Sequence, residues 1–390
     1  MKNKTFSALM FLAAFALFAQ AAFCQEEAGG EYAGGEFAPA SAYADTDWEW
    51  HAVGPGGKWA SGAQFRCFSS FSQGCPVGWM SSASYRTYSG FLSPLDLLRI
   101  KNDFDGDGKA DLAVFNKASG SWRVWLSASG YAMAVADGWG VGTFVPAAAD
   151  YDGDYRTDPA LYNAATGEWY FWPSKFGYSL MIVRGLGGPG WVVASSDFDG
   201  DGKADPAAYQ ASTGTLRVLF STTGGVVTLA VGLGSNGFVP VSDDFDGDGM
   251  ADPAVFGGNT GTWIVLLSGS SYATARADGW GGVLMGRPAQ TSVAFDYDGD
   301  RKADPAVYQE STGNWYGWLS ASGYSFVWAA GFGGPGWLAV PADYDGDLRA
   351  DAMVNRESIG GWIAWLSSEG YARYDASAWG WPGYVFVPAR

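Results

Sequence analysis

DFDGDGKAD, residues 103–111, puts four aspartates within nine positions and spaces them with glycines. Carboxylates held this close repel one another unless something positive sits among them. The pattern returns at DYDGDYRTD (150–158), DFDGDGKAD (197–205), DFDGDGMAD (244–252), DYDGDRKAD (296–304) and DYDGDLRAD (343–351). The starts lie 47, 47, 47, 52 and 47 residues apart, and a fixed period of this size marks a solenoid or a propeller before anything else is read.

The register extends beyond the aspartates. Nineteen residues after each start stands Trp122, Trp169, Leu216, Trp263, Trp315 or Trp362. Twenty-eight after stands Tyr131, Tyr178, Gly225, Tyr272, Tyr324 or Tyr371, and thirty-six after stands Trp139, Leu186, Leu233, Trp280, Phe332 or Trp379. The single five-residue insertion falls in the fourth copy, within GGVLMGRPAQ (281–290). Each copy reads as four short strands: FVPV (238–241) before the aspartates, PAVF (253–256) or PALY (159–162) after them, an aromatic third such as GEWYFWP (167–173) or GNWYGWLS (313–320), and a fourth as in GYSFVWAAGFGG (323–334). Aromatic and β-branched runs broken by Gly, Asp and Pro favour strands, and four strands per repeat of about 45 residues predict an all-β fold, a β-propeller of four-stranded blades. A first strand is found seven times, from LDLLRI (95–100) to YVFVPAR (384–390), against six sets of the other three. Seven blades are therefore favoured over six, with residues 48–95 as a degenerate blade and the last strand closing the ring so that no edge is left unpaired.

Composition agrees. Of 390 residues, 57 are glycine and 16% are aromatic, which suits many short strands and tight turns better than helices. The net charge of -17 argues against nucleic acid or an anionic membrane as partner, since both need Lys and Arg. Residues 1–21 read as a secretory signal: Lys2 and Lys4, an apolar run from Phe6 to Phe18, and Ala19-Gln20-Ala21 as a cleavage site. No segment is long and apolar enough for a transmembrane helix. Phe23 precedes Cys24 where a lipoprotein signal needs a small residue, so anchoring there is not expected. Residues 22–47 read as a flexible Gly/Ala/Glu linker and residues 96–390 as the six repeats. Cys67 and Cys75, eight apart in an exported chain, are expected to form a local disulfide.

The loops carry the chemistry. Aspartate holds positions 1, 3, 5 and 9 of every copy: Asp103, Asp105, Asp107 and Asp111; Asp150, Asp152, Asp154 and Asp158; Asp197, Asp199, Asp201 and Asp205; Asp244, Asp246, Asp248 and Asp252; Asp296, Asp298, Asp300 and Asp304; Asp343, Asp345, Asp347 and Asp351. Position 4 is always glycine. Calcium takes six to eight hard oxygens in a flexible shell, which alternate carboxylates of a tight loop supply; magnesium wants fewer protein ligands, and zinc wants His or Cys. An EF-hand is excluded, because position 12 is Val114, Leu161, Ala208, Val255, Val307 or Val354 in place of glutamate. These loops hold 24 of the 40 acidic residues, and six Ca²⁺ would bring the formal charge to -5 (-17 + 12). Position 6 is Gly108, Gly202 and Gly249 in three copies but Tyr155, Arg301 and Leu348 in the others. If φ must be positive there, those three loops are strained or turn differently, and weaker sites are expected in them.

GFGGPGW (331–337) or GLGGPGW (185–191), followed by a strand and D-x-D-G-D-x-x-x-D, resembles the FG-GAP and VCBS-type repeats, which include the propeller of integrin α-chains. The resemblance covers residues 96–390. It implies a propeller with calcium in the hairpin between the first two strands of each blade, held by the 24 aspartates. Tyr155, Arg301 and Leu348 depart from the pattern.

Catalytic signatures are absent. The one histidine, His51, lies in a poorly patterned region, and no nucleophile elbow, phosphate loop or zinc motif occurs. Repeated Trp and Tyr are expected to pack blade on blade. Trp125, Trp172, Trp318 and Trp365 each follow another registered Trp by three positions, except that strand geometry points such neighbours to opposite faces, which would leave one of each pair free to stack on sugar rings. The expected function is an exported calcium-binding binding or adhesion module, lectin-like towards an extracellular glycan. A protein-interaction or cell-surface structural role is the alternative, and a polysaccharide-active enzyme the less favoured third.

Overall fold

The computed structural model describes residues 100–281, 290–377 and 379–388, together with the backbone of four strands between residues 58 and 89. The chain divides into a unit spanning Ala19–Leu97 and a larger unit that holds Leu98–Arg390. In the smaller unit Lys58–Gly62 pairs with Phe65–Ser69, and Gly78–Ser82 with Tyr85–Ser89, as two separate two-stranded antiparallel sheets. The expected signal segment, linker, Cys24, His51 and the side chains of Cys67 and Cys75 lie outside the described residues. Among the described residues no helix is long and apolar enough to cross a membrane.

The larger unit is a propeller of six four-stranded antiparallel blades, numbered here by the aspartate run each carries. Blade 2 shows the plan: Phe144–Pro146, Ala160–Asn163, Glu168–Phe171 and Met181–Val183 in spatial order, with the aspartate run between the first two. Among the described residues the seventh blade expected from strand counting is not formed. The first-strand place beside Leu112–Asn116 in blade 1 is taken by Tyr384–Phe386, whose partners run from Tyr384↔Asn116 to Phe386↔Val114. One far segment thus completes the blade that the aspartate run at 103–111 opens. Ile100, the end of the segment counted as a further first strand, is in no strand.

Second and third strands are buried on both sides because a blade is covered by a blade on each face. Leu112–Asn116 buries four of its five residues, and Trp122, Trp169 and Trp263 are fully enclosed. Each of these indoles faces an aromatic across the strand pair, as in Tyr162–Trp169 at 4.7 Å and Phe256–Trp263 at 4.7 Å between ring centres. The indole N–H then fixes the crossover to the next blade: Trp169 Nε1 donates to Leu186 O at 2.9 Å, Trp263 Nε1 to Trp280 O at 3.0 Å, Trp315 Nε1 to Phe332 O at 2.8 Å, and Trp362 Nε1 to Trp379 O at 2.7 Å.

The crossover residue is also the wedge between blades. Trp139 stacks on Trp172 of the next blade at 5.0 Å, Trp280 on Trp318 at 5.1 Å, Phe332 on Trp365 at 4.4 Å, and Trp379 on Trp125 at 5.9 Å across the closure. Interplanar angles of 6°, 5°, 4° and 12° make these parallel stacks. Trp125, Trp172, Trp318 and Trp365 are therefore not presented to ligand: they are between 4% and 8% exposed. Opposite faces of a strand do not mean inside and outside in a blade that is sandwiched on both faces.

Candidate metal centres

Within each aspartate run the carboxylates are drawn together by the loop's own backbone. Position 1 accepts two N–H groups: Gly106 N and Gly108 N donate to the Asp103 oxygens at 2.6 and 2.9 Å, and the other five loops repeat the pair. Position 9 ties the loop to both sides of the blade. Phe104 N donates to Asp111 Oδ2 at 2.7 Å and Ser127 N to Asp111 Oδ1 at 2.7 Å, again in all six copies. All six position-9 aspartates have no exposed surface.

The partner of position 9 is a serine that aspartate spacing alone did not single out. Ser127, Ser174, Ser221, Ser268, Ser320 and Ser367 all stand twenty-four residues after the run begins, in the turn between third and fourth strands. Its hydroxyl donates to position 5 in five copies, as Ser174 Oγ to Asp154 Oδ2 at 2.6 Å and Ser320 Oγ to Asp300 Oδ2 at 2.9 Å. The next residue's N–H reaches position 3, as Lys175 N to Asp152 Oδ2 at 2.9 Å. Its invariance in the repeat register was the available signal.

The result is a set of carboxylate clusters. Asp103, Asp105 and Asp111 offer oxygens within 4.8 Å of one another, as do Asp150, Asp152 and Asp158, the equivalent residues of the third and fourth loops, and Asp296, Asp298 and Asp300 of the fifth. Burial pushes Asp111 and Asp158 up to about 8, and Asp103, Asp205 and Asp351 up to about 7, against the N–H donors that pull them down. Two buried oxygens, Asp105 Oδ1 and Asp152 Oδ1, have no hydrogen-bond partner. Crowded hard oxygens, burial that disfavours their charge and unsatisfied lone pairs together suit a hard cation of calcium's size and coordination habit.

Position 6 adopts positive φ in every loop: +83° at Gly108 and +87° at Gly202 and Gly249, but also +67° at Tyr155, +71° at Arg301 and +70° at Leu348. The alternative that those three loops turn differently is removed. They keep the same turn, at a strain of about 1 kcal/mol each.

The six loops are joined into a closed circle. Position 8 of each donates its N–H to the position 1 carbonyl of the preceding loop: Thr157 to Asp103, Ala204 to Asp150, Ala251 to Asp197, Ala303 to Asp244, Ala350 to Asp296 and Ala110 to Asp343, at 2.5–2.7 Å. The side chain at position 7 crosses with it. A Cβ on Gly106 would come within 3.0 Å of Arg156 Nε, on Gly153 within 3.1 Å of Lys203 Cε, and on Gly299 within 2.9 Å of Arg349 Nε. Glycine at position 4 is thus called for by its own positive φ, and it also leaves room for the crossing side chain of the neighbouring loop. Position 7 is Lys109, Arg156, Lys203, Met250, Lys302 and Arg349, a second registered feature outside the aspartate pattern.

Two concavities lie elsewhere on the propeller. A cavity of about 130 Å³ is lined by Lys101, Ser195, Ser242, Asp243 and Ser292, and Lys101 Nζ meets Asp243 Oδ2 at 2.5 Å, pairing the segment that leads into blade 1 with blade 4. A cleft of about 230 Å³ between blades 4 and 5 is lined by Gly279, Trp280, Gly281, Tyr316, Trp318 and Phe326. Phe326 and Trp328, on the outer strand Ser325–Ala329, are 54% and 62% exposed.

No protein-family model and no curated protein sequence matches the chain, so the likeness to FG-GAP and VCBS repeats stays a resemblance of sequence pattern. Among solved structures, the chain is similar to an Agrocybe aegerita lectin described as recognising non-reducing terminal N-acetylglucosamine, at 14% identity over 73% of this chain and 96% of that one, TM-score 0.49. It is also similar to the dihydro-heme d1 dehydrogenase NirN, at 14% identity over 67% of this chain and 52% of that one, TM-score 0.34. At these similarities neither brings a function to this chain.

Proposed function

We propose that the chain is an exported, calcium-binding propeller that works as a non-enzymatic binding module, with glycan as its ligand class. The observation that carries the calcium reading is the pair of buried, unpartnered oxygens, Asp105 Oδ1 and Asp152 Oδ1, inside clusters repeated in register around the ring. Positions 1, 3, 5 and 9 would hold the ion, while the serine turn keeps the loop locked to its blade. Bound calcium supplies the positive charge that neutralises each loop. Export follows from the basic start and apolar run of residues 1–21.

Glycan is favoured by the cleft between blades 4 and 5. Phe326, with the part-exposed Trp280 beside it, offers a flat apolar face of the kind that packs on sugar C–H groups, and the strongly negative chain opposes polyanionic ligands. A second reading has its own observation: Ser325–Ala329 is an edge strand with Phe326, Val327 and Trp328 exposed, a surface that also suits a protein partner by strand addition.

The test is a glycan array probed with calcium and with EDTA, alongside thermal unfolding in both conditions. A site held at a hundred times its dissociation constant stabilises the fold by about 2.7 kcal/mol, so a clear rise in Tm with calcium is expected. Glycan binding that Phe326→Ala weakens, at a cleft residue that is 54% exposed, supports the module as stated. Silence across the array, with the calcium shift intact, moves the ligand to protein. An unchanged Tm sinks the calcium reading.

A further inference from the structure

The circle of loops is also a circle of charge, and it is broken once. Each position 7 side chain belongs to its own loop and lies across the position 4 glycine of the loop before it. Lys203 shows both contacts: it covers Gly153 of the second loop, and its Nζ is 3.6 Å from Asp201 of its own. Arg156 likewise covers Gly106, and its charge is felt at Asp105 of that neighbouring loop. Five of the six crossing residues are cations; the sixth is Met250, whose Cγ would stand 2.9 Å from a Cβ on Gly200.

Counting around the ring separates the loops. The first borders Lys109 and Arg156, the second Arg156 and Lys203, the fifth Lys302 and Arg349, and the sixth Arg349 and Lys109. Of the position 7 cations, the third borders only Lys203 and the fourth only Lys302, because Met250 lies between them; Lys101, beside the fourth loop, is already ion-paired with Asp243. Both of these loops also have glycine at position 6, so neither carries the strain of Tyr155, Arg301 or Leu348. A fixed positive charge a few ångströms away opposes entry of a divalent cation, and removing one such charge matters more than any feature shared by all six loops.

We infer that Met250 makes the third and fourth loops, Asp197–Asp205 and Asp244–Asp252, the high-affinity calcium pair of the ring. The inference rests on the calcium reading above and goes beyond it by ranking the sites through a residue that is not a ligand.

The test is calorimetric titration with Ca²⁺, and luminescence titration with Tb³⁺ excited through the protein's aromatics, on the full chain at 0.1 M salt. Two sites about tenfold tighter than the remainder are expected. Met250→Lys should weaken both about tenfold and merge them with the rest, whereas Met250→Leu should leave them tight. A lysine is tolerated at this position elsewhere in the ring, so Met250→Lys should fold, and far-UV circular dichroism checks that it does. Lys302→Met, the mirror change, should tighten the fourth and fifth sites. At 1 M salt the screening length falls to about 3 Å and the gap between classes should narrow. Calcium binding with six equal sites, or two tight sites untouched by Met250→Lys, overturns the inference while leaving the calcium reading intact. No heat with Ca²⁺ and no Tb³⁺ luminescence overturns both.

Discussion

Two of the six joints between blades are made of leucine and four of stacked aromatics. Where the wedge residue is Trp139, Trp280, Phe332 or Trp379, the residue it meets on the next blade is Trp172, Trp318, Trp365 or Trp125. Where the wedge is Leu186 or Leu233, the facing residue is Leu219 or Leu266, packed in the same apolar clusters. The two sides change together, never singly. The tyrosine that leans on the aromatic wedge, as Tyr178 leans on Trp139 and Tyr371 on Phe332, is replaced by Gly225 in the blade that follows Leu186. The two residues of a blade joint thus change as pairs, large with large and small with small, in keeping with densely packed interiors, while the four aspartates of each run do not vary at all.

The largest difference should come from emptying one joint of each kind. Trp365→Ala removes a buried indole stacked on Phe332 and should cost about 4 kcal/mol. Leu186→Ala, at a joint just as buried, should cost about 3 kcal/mol. Urea unfolding with and without calcium measures both. Losses in strict proportion to the apolar area removed would mean that area alone, not stacking, holds the aromatic joints.

Mixing the two kinds gives a smaller and more telling effect. Leu219→Trp puts an indole against leucine and should overpack the joint by about 2 kcal/mol. Leu186→Trp together with Leu219→Trp rebuilds the stack found at the other joints and should recover at least about 1 kcal/mol of that as coupling between the two sites. Strict additivity in this double-mutant cycle would show that the paired identities are coincidence.

These joints also mark what a reader of the sequence can and cannot see. The period, the four strands and the 24 aspartates are local or repeat in fixed register, so they are legible from spacing alone. Blade number was not, because Tyr384–Phe386 pairs with Leu112–Asn116 across almost the whole repeat region, and counting first strands cannot tell which of them is used. The pairing of Trp139 with Trp172 is not legible in the repeat register, because the partners sit at different offsets in different copies. The same holds for Arg156 over Gly106 and Thr157 on Asp103, contacts that run from one loop to the next. What a single repeat does to itself is written in its sequence, whereas what it does to its neighbour appears only once the ring is closed.

The smallest expected effect separates the blade between the two leucine joints from the rest. In blade 5 the Ser320 hydroxyl donates to Asp300 Oδ2 at 2.9 Å while its backbone N–H holds Asp304 at 2.7 Å. Blade 3 keeps the N–H bond, from Ser221 to Asp205 at 2.7 Å, but the Ser221 hydroxyl is buried without a partner. There Asp201 faces Lys203 instead, and the neighbouring Thr222 hydroxyl secures Asp199 at 2.6 Å. Ser320→Ala removes a hydroxyl bonded to a carboxylate and should lower stability by about 1 kcal/mol. Ser221→Ala removes a buried hydroxyl that bonds nothing, and should be neutral or slightly stabilising, because the cost of burying that hydroxyl without a partner is removed with it. Both are read as shifts in urea midpoint, in EDTA so that calcium does not mask them. If Ser221→Ala costs as much as Ser320→Ala, the serine acts in every blade through its place in the turn, and the third blade differs from the others only at its joints.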